Sequence, residues 1–185
     1  HSVFGQLNEK SYSHYSMNFE HHLGPYKWIK MGYEYLPNYF IRDYRDRDIS
    51  GDNRYSCNFF SEEIFISYSF PVSEMTWVKL KTTGVNEFYN SHFTEYDQQK
   101  LIGQIKYHSG FSKWTKYSVS LSHGRSRNTT FNSGLISTDV DRSYLMDKLI
   151  LRITHIQKSF PLIEKVGLSL SAEQRLYELG TSEDS

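Results

Sequence analysis

No stretch of this 185-residue chain approaches the roughly 20 consecutive apolar residues that a membrane-spanning helix requires. A single cysteine, Cys57, leaves no internal disulfide framework. Basic and acidic side chains both number 21, so the net charge is zero and the basic footprint of a nucleic-acid binder is missing. Four prolines and the lack of low-complexity tracts argue against disorder. No nucleophile elbow, phosphate loop or zinc-ligand spacing occurs, so no catalytic residue is assigned and the chain reads as a non-enzyme. Neither an initiator methionine nor a signal peptide opens it, which points to a chain that is processed, trimmed or only partly represented.

What is abundant is aromatic: 16% of residues, with 15 Tyr and 12 Phe. They are ordered, and the clearest order lies between Lys27 and Asp46, KWIKMGYEYLPNYFIRDYRD. Ile29, Met31, Tyr33, Tyr35, Tyr39 and Ile41 occupy its odd positions, while Lys30, Gly32, Glu34, Asn38 and Arg42 are among the even ones. Side chains alternate across a strand, so this spacing predicts one apolar face and one polar face. The run is far longer than the usual strand of five or six residues. A long strand with lipid on one side and water on the other has this pattern.

The same period of two recurs, predicting eight strands at roughly 11–22, 27–44, 54–70, 75–89, 92–108, 113–126, 142–157 and 163–178. Ile64 and Ile66 alternate with Glu63 and Ser67; Val78 and Leu80 with Lys79 and Lys81; Leu149 and Leu151 with Lys148 and Arg152. Tight turns at Leu23-Gly24-Pro25, Pro71–Glu74, Ser109–Phe111 and Phe160-Pro161 alternate with longer polar loops at 45–53, 90–95 and 127–141. Tyr26, Trp28, Trp77, Trp114 and Phe160 cluster near the tight turns, and Tyr39, Phe59, Phe60, Tyr89 and Tyr144 lie toward the long loops. Amphipathic rings favour the two bilayer interfaces, so these clusters predict two aromatic girdles.

On these residues the chain resembles a bacterial outer-membrane β-barrel over essentially its whole length. The segment Tyr35-Leu-Pro-Asn-Tyr-Phe-Ile-Arg-Asp-Tyr-Arg-Asp-Arg-Asp48 is similar in style to large barrels that follow a periplasmic repeat domain. The resemblance implies an all-β, antiparallel up-and-down transmembrane barrel in the outer membrane, with short periplasmic turns and longer external loops. It places residues 1–185 in one barrel domain with a lipid bilayer as partner. Such barrels keep both termini in the periplasm, whereas alternating turns would put residues 1 and 185 at the external end. That predicts an internal portion of a barrel of ten or more strands. The ending Thr-Ser-Glu-Asp-Ser185 departs from the terminal aromatic usual in these barrels.

The alternation gathers Lys30, Arg42, Lys79, Lys81, Lys100, Lys106, Lys116, Lys148, Arg152 and Lys165 on the inner face, against fewer inner acids, chiefly Glu34, Glu63 and Glu173. Rings of Lys and Arg attract anions, which predicts a channel or export conduit for anionic solutes or polymers. The bland alternative is that these cations pair with acids on the strands or on a plug. Two other readings stand beside it: a plugged docking barrel that binds a partner, including other envelope proteins, through its loops, and a soluble barrel or sandwich that binds a ligand. Asp46, Asp48, Ser50 and Asp52 match the first half of a calcium loop, with Gly51 at its sixth position. Cys57 stands where the closing glutamate belongs, so a solvated loop is the competing reading and no cofactor is expected. His21 and His22 are adjacent and point to opposite faces, which disfavours a shared metal. Cys57 itself reads as a small rim residue rather than a reactive thiol.

Overall fold

Alternating sequence becomes alternating structure. The computed structural model describes residues 13–25, 27–45, 54–91, 93–112, 114–129, 141–156 and 165–178. It contains β1 (Tyr15–Gly24), β2 (Lys27–Arg45), β3 (Arg54–Ser73), β4 (Thr76–Tyr89), β5 (Gln98–Gly110), β6 (Thr115–Asn128), β7 (Tyr144–Ile156) and β8 (Lys165–Tyr177). All eight form one sheet in chain order, each antiparallel to the next. The sheet is open, and β1 and β8 are its edges.

β5 starts later than the alternation predicts. A 3-10 turn, Thr94–Tyr96, occupies the connection. Asp97 holds it closed: its Oδ1 accepts the Tyr89 N–H at 2.6 Å, and its own N–H donates to the Thr94 carbonyl at 2.9 Å. A local side-chain bond of this kind competes with the ladder and delays the strand. A second departure lies in β2, where the register with β3 shifts between Leu36 and Tyr39 and again between Phe40 and Arg42. Pro37 sits in the first shift and has no N–H to give the ladder. The shift sets Tyr39 opposite Phe59, on the polar face, so Tyr39 does not continue the apolar stripe of Ile29, Met31 and Tyr33.

The two faces follow from the register. On one face, Ile29, Tyr68, Leu80, Ile105, Leu121 and Leu149 stand side by side across β2 to β7. The next row toward the tight turns runs Val78, Tyr107, Val119, Leu151 and Leu170. On the opposite face, Ser67 lies against Lys81 and Ser69 against Lys79. Along β3 and β6 burial is inverted relative to a water-soluble sheet, while β1 and β8 are exposed on both faces. Ile64 is 65% exposed and Leu121 56%, whereas Ser69 is 0% and Ser120 4% exposed. Among the described residues the buried hydrophobics are Cys57, Phe65 and Tyr144. Every substantial contact between elements joins sheet neighbours or the 3-10 turn and β4, so no second layer covers the apolar rows in the described residues.

The apolar face is bounded toward the long loops. On β6 it gives way after Leu121 to His123 and Arg125, which pair with Asp147 on β7 and with Glu178, both at 2.8 Å. The apolar face therefore ends inside the strand length on this side of the sheet.

Candidate functional site on the polar face

Nine of the ten predicted inner cations share one face by register. Lys30 is opposite Ser67, Lys79 opposite Lys106, Lys81 opposite Gln104, and Lys100 opposite Ser126. Lys116 is opposite Thr154, Arg152 opposite Ser118, Lys148 opposite Glu173, and Lys165 opposite Ile156. For the tenth, Arg42, the backbone pairs with Cys57.

Their electrostatics divide the face in two. Toward the long loops the cations are matched by carboxylates. Lys81 reaches Glu63 at 3.2 Å and Lys100 reaches Glu87 at 2.7 Å. Glu173 accepts from both Lys148 at 2.8 Å and Arg175 at 2.7 Å. Glu87 and Arg175 were not singled out from the sequence, although each has the parity of its partner's face. These pairs are at least partly solvated, so each contributes little to stability, about 0–1 kcal/mol. What they do is neutralise this half of the face.

Toward the tight turns the matching thins to Glu20, whose carboxylate lies 3.1 Å from His22 and one row away from Lys79. One row crosses the sheet as His22, Trp28, Ser69, Lys79, Lys106 and Ser120. The next runs Pro71, Trp77, His108, Ser118, Arg152 and Ser169. None of these positions is acidic, and Lys79, Lys106 and Arg152 make no ion pair with a described residue. Lys79 and Lys106 stand directly opposite each other, an arrangement that is unfavourable between like charges.

These rows also give the face of two residues expected in the girdle near the tight turns. Trp28 and Trp77 lie on the polar face, because the period of two that places Lys30 and Lys79 there places residues two positions earlier there as well. They form a ladder across the sheet: His22 to Trp28 at 6.4 Å, Trp28 to Trp77 at 6.1 Å, and Trp77 stacked on His108 at 3.7 Å. Trp114 sits in the bend before β6, its carbonyl accepting the Ile156 N–H at 2.8 Å. Tyr26 and Phe160 lie outside the described residues, as do Asp46, Asp48, Ser50 and Asp52 of the calcium-like loop. Among the described residues no group of three or more His, Cys, Asp or Glu side chains is placed to hold a metal. Cys57 is buried at 3% exposure, at the loop end of β3.

The chain significantly matches no protein-family model, no curated protein and no solved structure.

Proposed function

We propose that these eight strands form wall of a transmembrane β-barrel of the bacterial outer-membrane type, whose basic inner face conducts anionic solutes or polymers. The inverted burial carries this reading: apolar side chains exposed, and the serines of β3 and β6 buried on the face that carries the lysines. Leaving a Leu or Ile side chain in water forfeits about 1.5–3 kcal/mol. A bilayer around the sheet removes that cost, and a watery interior solvates the lysines. The soluble alternative needs the same residues turned inward onto a second layer. In lipid, β1 and β8 must find hydrogen-bonding partners, each other or further strands, because open edges are not tolerated there.

Ion pairing at the loop end supports a second reading for that half of the face, a neutral wall that seats a plug or partner. One set of measurements separates the readings. Extraction from cells should require detergent and give a heat-modifiable band, and protein in planar bilayers under a salt gradient should show a reversal potential favouring anions. Release into plain buffer would refute membrane insertion. Insertion without conductance would favour the plugged barrel.

A further inference from the structure

We infer that the turn-end rows of the polar face form a binding site for a ring-bearing oxyanion, the chemistry of a sugar phosphate. Lys79, Lys106 and Arg152 take the anionic group, and Trp28 and Trp77 take the ring. The site rests on the reading that this face lines the barrel interior, and it gives that interior a defined substrate class.

Unmet charge and unmet hydrogen bonds coincide here. The cations at the loop end hold carboxylates, and Lys79, Lys106 and Arg152 hold none among the described residues. Three buried side-chain atoms within the same two rows also lack a hydrogen-bond partner: Ser69 Oγ, Ser120 Oγ and His108 Nε2. Buried polar atoms are normally satisfied, so a cluster of orphans calls for an explanation. Ser69 is opposite Lys79 and Ser120 is opposite Lys106, so the two hydroxyls bracket the two facing lysines. An oxyanion accepts from hydroxyl, ammonium and guanidinium donors together, and charge-assisted bonds of this kind are the strong ones. It also screens the Lys79–Lys106 repulsion.

The ring follows from the neighbours. Trp28 is opposite Ser69, so the aromatic ladder and the cation row are continuous. A cavity of about 570 Å³ lies on the turn side of these cations, lined by Trp28, Trp77, His108, Met75, Glu74 and Lys116; Lys79, Lys106 and Arg152 stand in the rows beside it rather than in its lining. That volume suits a small ring-bearing ligand. An indole face stacks on the apolar face of a ring and leaves its polar substituents to the cations.

The test uses folded protein in detergent micelles, with tryptophan fluorescence as the readout and glucose 6-phosphate, glucose and inorganic phosphate as probes. Glucose 6-phosphate should bind saturably and at least tenfold more tightly than either of the others. Lys79→Gln and Lys106→Gln should each weaken it tenfold or more, Lys106→Arg should restore it, and Lys100→Gln should change it less than twofold. Trp28→Ala should weaken glucose 6-phosphate and leave phosphate unchanged. Equal binding of glucose and glucose 6-phosphate, or equal loss in Lys100→Gln and Lys106→Gln, would overturn the site. Phosphate binding as tight as glucose 6-phosphate would overturn the role of the tryptophans. If a glutamine variant does not fold, the parent decides: its affinity must fall as salt is raised, and salt-independent binding counts against the cations. Micelle binding does not need a pore. Binding without conductance keeps the site and removes the channel, whereas anion-selective conductance without binding keeps the channel and removes the site.

Discussion

The ring of Phe65 lies over Gly32, in the space that any side chain at Gly32 would fill. The two residues are directly opposite on β2 and β3, and Lys81 Nζ sits 4.3 Å from the ring centroid on its other neighbour strand. Glycine in a strand weakens it unless a neighbour covers the gap, and an aromatic on the adjacent strand does so. Gly32→Val should therefore cost about 1–3 kcal/mol through overpacking. Phe65→Ala should open room for the valine, so the double variant should lose less than the sum of the singles. Equilibrium unfolding of the cycle measures this, and strict additivity would mean that Phe65 does not occupy that space.

The two faces should differ sharply in their tolerance of charge. Leu151 belongs to the exposed apolar row with Val119 and Leu170, and Thr154 stands opposite Lys116 and Gly167 on the polar face. In lipid vesicles, Leu151→Arg should cost about 2–4 kcal/mol if it lies near the bilayer midplane. Thr154→Arg should cost much less. Equal costs in urea unfolding would refute the assignment of faces.

Glu173 neutralises Lys148 and Arg175 together. Glu173→Gln should free both cations and raise anion preference in reconstituted protein, with stability changing by no more than about 1 kcal/mol. An unchanged reversal potential would show that this half of the face does not line a conducting path.

At the first tight turn, Gly24 has a φ of +147°, a conformation that side chains rarely adopt. Nothing lies within 4 Å of a Cβ added there, so backbone strain is the whole cost of Gly24→Ala, about 1–3 kcal/mol. Gly103→Ala is the control, since an added Cβ meets its nearest neighbour, the His123 carbonyl, at 3.8 Å. Thermal unfolding should rank Gly24→Ala well below Gly103→Ala.

Strand number, order and approximate limits were legible because a two-residue period is a local property of each segment. The face of Trp28 and Trp77 was legible too, since they share parity with Lys30 and Lys79. The delayed start of β5 was not legible, because it depends on the Asp97 carboxylate reaching the Tyr89 N–H. Nor was the turned face of Tyr39, which follows from a register shift that sets it against Phe59 on the next strand.

By itself, the sequence determined that each strand has an apolar and a polar side and that the lysines share one of them, because Cβ direction alternates along any extended chain. Only the tertiary structure decided which side is exposed and which lysines are neutralised. Burial depends on how the sheet as a whole shields one face. An ion pair such as Lys81–Glu63 depends on which residues the register sets close together across strands.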